Sequence, residues 1–304
     1  MGYSKLIIVV LLLTLVFGGA LDWDEYTKSF EERYDVSPGC ELVVSIGDGD
    51  LEIEGWQNDE IQIEAKMTAW ASSKKEAEEM FERLNIRKRG QRVSVTYKSR
   101  RLPRAETRVQ CDGVVVRRGS RVDCKIFLPE EADLDFDLDD GVVSIEGIEG
   151  KVIIDGDDID VISERVKADK FEIDSDDGDI EIVDFDGNVK ISSDDTNVLL
   201  KEVTSPSLYI STDDGSINAE TTIETEGKYE FKTDDGDITL AIPDGAAARI
   251  SVRKDDGRFE SELPILLQGS MGTHHIQGVI ARDEAAIYIS TDDGDITIKK
   301  RTKE

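Results

Sequence analysis

The residues of this chain best able to do chemistry are paired aspartates set before a glycine, because they recur. Asp176-Asp177-Gly178-Asp179 returns as Asp234-Asp235-Gly236-Asp237 and as Asp292-Asp293-Gly294-Asp295. Looser copies stand at Asp139-Asp140-Gly141, Asp155-Gly156-Asp157-Asp158, Asp194-Asp195-Thr196, Asp213-Asp214-Gly215 and Asp255-Asp256-Gly257, with an early outlier at Gly47-Asp48-Gly49-Asp50. Carboxylates stacked at the strand spacing of ~4.8 Å repel by ~1 kcal/mol per pair in water, and by more where water is partly excluded. Bound cations relieve that repulsion. Calcium suits such a column because it accepts about six to eight oxygens with loose geometry. The calcium candidates are Asp176, Asp177, Asp179, Asp213, Asp214, Asp234, Asp235, Asp237, Asp255 and Asp256. Splay into water, screening by salt and adaptation to a saline habitat are the competing accounts. The spacing is neither that of an EF-hand loop nor that of the calcium-binding nonapeptide.

Other chemistry is thinly supplied. His274 and His275 are adjacent, so in a strand they face opposite ways and make poor joint ligands. No nucleophile elbow and no phosphate-binding loop occurs. Three cysteines leave at least one unpaired. Cys111 and Cys124 lie symmetrically about Arg117-Arg118, so a hairpin turning there would bring them together as a disulfide. Two half-buried thiols in neighbouring strands are the alternative. Cys40 reads as a small apolar strand residue.

The elements that must position these groups are short strands. Phe171-Glu172-Ile173-Asp174, Ile180-Glu181-Ile182, Val189-Lys190-Ile191-Ser192 and Leu208-Tyr209-Ile210-Ser211 alternate apolar and polar residues, which puts one face inward. The turn glycines follow one another at steps near 20 residues. The step of 37 between Gly257 and Gly294 reads as two units with one degraded copy. That period is too short for helical repeats or propeller blades and fits one coil of a β-solenoid. One coil cannot bury its apolar face, whereas stacked coils can.

Two segments depart from the pattern. Ser72 to Leu84 spaces Ala77, Met80, Phe81 and Leu84 three and four apart behind a serine cap, which predicts a helix over 72–84. Residues 83–125 hold fourteen basic residues against Glu106, Asp112 and Asp123, so the rest of this -30 chain carries about -41. Arg87, Lys88, Arg89, Arg92, Arg100, Arg101 and Arg104 form the dense part and are the candidate contacts for an anionic partner. Protection of an edge strand is the structural alternative.

Lys5, the apolar run Leu6 to Phe17 and the small residues Gly18, Gly19 and Ala20 read as an export segment over 1–20, cleaved after Ala20 or kept as a tether. The chain has 304 residues, 38% of them hydrophobic, enough for a core despite the charge. A net charge of -30 excludes a dominant nucleic-acid role, since phosphate repels carboxylate.

Tyr34-Asp35-Val36, Pro38-Gly39, Glu41-Leu42-Val43-Val44 and Asp48-Gly49-Asp50-Leu51-Glu52-Ile53-Glu54-Gly55-Trp56 resemble the opening of the putative adhesin family, exported prokaryotic domains of unknown function with β-strand repeats. The later Asp-Gly-Asp-Ile units and the helical insertion are similar too, over roughly Glu31 to Lys299. The resemblance implies a right-handed, solenoid-like all-β fold with no established enzyme activity. This chain departs from it in its density of paired aspartates.

The sequence therefore predicts an exported all-β protein: a right-handed β-solenoid-like stack of ~20-residue repeats with one short helix. A strand region over 21–130 leads into an acidic array over 131–304. The expected role is a non-enzymatic, adhesin-like binding or scaffold protein of the cell surface or periplasm, assisted by calcium. Its partner would be an envelope protein, polysaccharide or lipid headgroup, with self-association through the solenoid ends unless the helix and the tail Lys299-Lys300-Arg301 cap them. A carbohydrate-active β-helix enzyme is the alternative.

Overall fold

The computed structural model describes residues 23–98, 108–111, 114–117, 119–268 and 274–301. The export segment expected over 1–20 lies outside them. Among the described residues no helix is long and apolar enough to cross a membrane. The chain divides into two compact units, one ending at Val143 and the next starting at Ser144.

The first unit contains β1 (Asp24–Asp35), β2 (Cys40–Asp48), β3 (Leu51–Trp56), β4 (Glu60–Ala71), α1 (Lys74–Phe81), β5 (Asn85–Arg89), β6 (Arg92–Thr96), β7 (Arg108–Cys111), β8 (Val114–Arg117), β9 (Gly119–Pro129) and most of β10 (Ala132–Glu146). β1, β4 and β9 pair antiparallel in that order. β9 pairs in parallel with β3, and β2 in parallel with both β6 and β10. The coil β2–β3 thus lies between later segments of the chain. The alternation expected of half-buried strands holds: Leu42, Val44, Ile46, Leu51 and Ile53 are buried while their neighbours face out.

The helix is shorter than the 72–84 predicted. Ser73 caps it, its hydroxyl oxygen accepting from the Glu76 N–H at 3.3 Å, and the Glu76 carboxylate accepts the Ser72 N–H and hydroxyl at 2.9 and 2.6 Å. Ala77 and Phe81 are buried where α1 packs on β4 and β1. The N–H groups of Arg83 and Leu84 close tight turns on the carbonyls of Met80 and Phe81, which ends the helix.

The second unit contains β11 (Val152–Thr204), β12 (Ser207–Ser211), β13 (Ile217–Thr221), β14 (Lys228–Lys232), β15 (Ile238–Ile242), β16 (Ala248–Asp256), β17 (Phe259–Ser261), β18 (Ile265–Leu267), β19 (His275–Ile280), β20 (Ala286–Asp293) and β21 (Ile296–Lys300). Its strands stack in parallel, coil on coil. Val189 lies on Leu208, Leu208 on Tyr229, and Ile217 on Ile238. The inward residues form continuous apolar ladders, such as Ile191, Ile210, Phe231 and Ile289, all buried. Each such side chain contributes roughly 1.5–3 kcal/mol when fully buried.

The stack then leaves chain order. β14 and β15 pair with β20 and β21, with Tyr229 on Ile287 and Ile238 on Ile296. The far edges of β20 and β21 take β16 and β17, with Ile287 opposite Ile250 and Ile296 opposite Phe259. The 286–300 coil is therefore inserted between 228–242 and 248–261. The long step between Gly257 and Gly294 is a detour, not a lost copy. β16 next takes β19 antiparallel, and β19 takes β18. That hairpin, not the charged tail, ends the stack. The tail lies within it: the Arg301 N–H donates to Ile242 O at 2.8 Å, and its guanidinium meets Glu220 at 2.6 Å.

Candidate functional site

The repeated turn is a five-residue device that begins one residue before the aspartate pair. A buried Ser or Thr stands there: Ser175, Thr212, Thr233 and Thr291. The Thr233 hydroxyl reaches the carbonyls of Asp213 and Gly215, both at 3.1 Å. Thr291 reaches those of Asp234 and Gly236 at 3.3 and 3.1 Å, and Thr212 reaches Asp194 O at 2.7 Å. At Gly215 and Gly236 these hydroxyls supply a donor to the carbonyl of the sharp corner, and they add a further bond to the Asp194, Asp213 and Asp234 carbonyls. Sequence reasoning missed this column, although Ser or Thr before Asp-Asp was its visible signal.

The first aspartate of each pair serves through its backbone. Asp194 O accepts the N–H of both Asp213 and Asp214 at 2.9 Å, and Asp213 O accepts those of Asp234 and Asp235 at 2.9 and 3.0 Å. Asp234 O does the same for Asp292 and Asp293. The side chains of both aspartates stay exposed.

The glycine is required by close approach. A Cβ on Gly236 would overlap the carbonyl oxygen of Gly215, and one on Gly294 would overlap that of Gly236. The φ angles of these two glycines lie outside the left-handed region, so the neighbouring coil, not the backbone angle, excludes a side chain. Thr196 takes this place in the degenerate copy. Its hydroxyl and that of Ser193 are buried without a partner among the described residues.

The residue after the glycine caps the next coil. Asp160 Oδ1 accepts the Asp179 N–H at 2.8 Å, Asp237 Oδ1 accepts the Asp295 N–H at 2.7 Å, and Asp295 Oδ1 accepts the Arg258 N–H at 2.8 Å. Asn197 plays the same part for Ser216 at 3.1 Å.

The calcium candidates therefore divide. Asp179 is held by the Asn197 amide at 3.1 Å, and Asp237 is a cap. Asp176, Asp177, Asp213, Asp214, Asp234 and Asp235 lie along two outward columns with no ion pair among the described residues. Asp255 and Asp256 sit on the coil beyond the inserted one, Asp256 opposite Asp293. The like charges act on one another. The carboxyl of Asp177 is raised above its ordinary value by partial desolvation and then by Asp158 and Asp195. Asp194 is raised by desolvation and then by Asp176 and Asp213, and Asp234 by desolvation and then by Asp213 and Asp292. Among the described residues no three His, Cys, Asp or Glu side chains are placed to hold one metal ion. The carboxylates follow an edge instead of surrounding a point.

The expected Cys111–Cys124 bridge is corrected. The hairpin turns between Cys111 and Val114, not at Arg117-Arg118, so Cys111 is opposite Val114. Cys124 is opposite Ala65 and Leu51, as a free, buried thiol that burial pushes up to about 12. Cys40 is buried at the start of β2. His274 and His275 are exposed, and His274 Nδ1 lies 2.9 Å from Asp255 O.

Of the basic candidates, Arg87, Lys88 and Arg89 are exposed on β5, which pairs with β6. Lys88 is hydrogen-bonded to Asp35 O, and Arg92 meets Glu41 at 3.2 Å. Arg100, Arg101 and Arg104 lie outside the described residues.

A family profile described as Toastrack DUF4097 matches residues 40–299. No curated protein matches the chain. Among solved structures, a putative adhesin from Bacteroides fragilis NCTC 9343 shares 10% identity, covering 89% of this chain and 97% of that one, at a TM-score of 0.45. A putative adhesin from Parabacteroides distasonis ATCC 8503 shares 11%, covering 90% and 97%, at 0.34. A putative cell adhesion protein from Clostridium sporogenes ATCC 15579 shares 13%, covering 90% and 100%, at 0.25.

Proposed function

The chain belongs to the Toastrack family, and on that premise we propose that it is a non-enzymatic binding and scaffolding protein of the cell surface or periplasm. One observation carries this reading. The repeated Ser/Thr, the glycine and the capping Asp are consumed in holding coil to coil, whereas the paired aspartates point outward in unneutralised columns. A regular edge of like charge, with no converging acid, base and nucleophile among the described residues, suits a partner that brings many cations along a line. The coil is right-handed on this reading, the hand that parallel crossover connections take. The apolar run before Gly18 supports export.

Calcium assists by bridging neighbouring carboxylates along a column, not by filling a cage. Thermal unfolding in EDTA, calcium and magnesium at matched ionic strength tests that part. A rise of the midpoint in calcium alone is expected. Equal rises in every salt mean screening, and remove calcium from the proposal. The binding role is tested with poly-lysine as the probe. Asp213→Asn, Asp214→Asn, Asp234→Asn and Asp235→Asn should each weaken capture in small, additive steps. All-or-none loss of a polysaccharide-cleaving activity at one aspartate would overturn the reading in favour of an enzyme.

A further inference from the structure

The inserted coil has a competitor within its own chain. Gly215 and Gly236 are 21 residues apart, and so are Gly236 and Gly257. In that register Ile250 would follow Tyr229 and Val252 would follow Phe231, both apolar and inward-facing. The 248–261 coil is thus spaced to stack directly on 228–242, the place that 286–300 occupies.

Turn chemistry explains why 286–300 prevails. It carries Thr291 and Asp295, which supply the buried hydroxyl and the capping carboxylate. The 248–261 coil has Lys254 and Arg258 at those positions and can supply neither. It also brings Phe259 and Ser261 where the inserted coil brings Ile296 and Ile298. The slot between β14–β15 and β16–β17 therefore selects a strand pair with Thr-Asp-Asp-Gly-Asp and apolar residues in fixed register.

The connection into the slot is short and strained. β19 ends at Ile280, and five residues separate it from the start of β20 at Ala286. Ala281 holds a left-handed φ of 51° without being glycine. The Arg282 N–H closes on Ile280 O at 2.6 Å, and the Glu284 N–H on Arg282 O at 3.2 Å. Short hinges under strain favour exchange of the element they carry, because opening relieves the hinge and the exchanged contacts are identical.

We infer that β20–β21 is exchangeable between molecules, and that its slot is a docking site for the same coil of a second copy of this chain. Reciprocal exchange closes a two-fold dimer in which each copy fills the other's gap. The second copy is the fitting occupant because it carries the one described coil with the full turn motif and all four inward isoleucines, Ile287, Ile289, Ile296 and Ile298.

The test uses the full chain. Lys228 and Ala286 are exposed partners across β14 and β20. Lys228→Cys and Ala286→Cys variants are made separately, mixed near the unfolding midpoint, returned to native conditions and oxidised. The 228–286 link is then sought by mass spectrometry. It should form, and its yield should rise with protein concentration during mixing. Ala281→Gly, which removes the hinge strain, should lower the yield by about threefold. The double variant on one chain confirms that the two cysteines can bond. If it links within the chain while the mixture yields no 228–286 link at any concentration, exchange is overturned. With oxidation always carried out at one fixed dilution, a yield indifferent to both the mixing concentration and the hinge reports surface collision and overturns it as well.

Discussion

The same turn is built with opposite electrostatics in the two units. In the first, Asp123, Asp50 and the Asp139-Asp140-Gly141 corner reproduce the ladder: Asp123 Oδ1 accepts the Asp50 N–H at 3.2 Å, and Asp50 Oδ1 accepts the Val142 N–H at 3.0 Å. Arg121 sits among these carboxylates, bonded to Asp50 and meeting Asp123 at 2.7 Å. In the second unit the equivalent columns have aspartate facing aspartate, and the carboxyls of Asp177, Asp194 and Asp234 are raised by partial desolvation and then by these neighbours. The difference teaches that the ladder of caps and close approaches forms the corner, and that charge balance is not required for it. A surface held out of balance while its scaffold is intact is one available for something else to balance.

The largest effect should come from the feature both units share. Gly236→Ala forces a methyl into the Gly215 carbonyl and should destabilise the protein by about 3–5 kcal/mol, read as a lower denaturation midpoint at unchanged slope. Gly245→Ala meets open space and should be nearly silent or slightly stabilising. Equal effects at the two sites would break the close-approach account.

Thr233→Val comes next. It keeps the shape but takes the hydroxyl donor from Gly215 O, while Asp213 O keeps the N–H groups of Asp234 and Asp235, with a loss of about 1–2 kcal/mol in the same assay.

Arg121→Gln should then make the first unit resemble the second. A loss of roughly 1 kcal/mol is expected at low salt, shrinking as salt is added. Insensitivity to salt would mean that Arg121 acts by packing.

The smallest effect is the response to pH. Asp177, Asp194 and Asp234 have raised carboxyls in the folded state, so the folded protein holds their protons more tightly than the unfolded chain does. Their contribution is fully present below the unfolded value and is lost as pH rises through the folded value. Glu172 is opposite. Hydrogen bonds from Lys170 and Lys190 hold it at about 2, so its contribution is present above the ordinary carboxyl range and is lost as pH falls toward about 2. Thermal scans should therefore show a shallow gain on mild acidification from neutrality, then a loss at lower pH. Asp213→Asn with Asp234→Asn should flatten the gain and leave the acid loss. Stability falling steadily from neutrality would contradict the repelling column.

Much of the scaffold is legible in the sequence. Alternation at Phe171-Glu172-Ile173 and Leu208-Tyr209-Ile210 marked the strands, because period two is a local property of extended backbone. A cap at Ser72 or Ser73 and the stripe Ala77, Met80, Phe81 and Leu84 marked the helix for the same reason, and the structure places the cap at Ser73. The repeated Asp-Asp-Gly announced the corner. Its division of labour was not legible, since whether an aspartate caps a neighbouring coil or faces water depends on which residue lies beside it. The cysteine expectation failed in this way. Symmetry about Arg117-Arg118 suggested a hairpin, and pairing put Cys124 opposite Ala65 and Leu51 instead.

By itself, the sequence determined the element type, the turn chemistry and the charge, because each is set by residues within a few positions of one another. Only the tertiary structure decided the order of the stack. Nothing local distinguishes a coil that follows its predecessor from one that is inserted behind it. Two coils at compatible register compete for one place, and the winner is the one whose Thr291 and Asp295 satisfy backbone groups that Lys254 and Arg258 would leave unpaired.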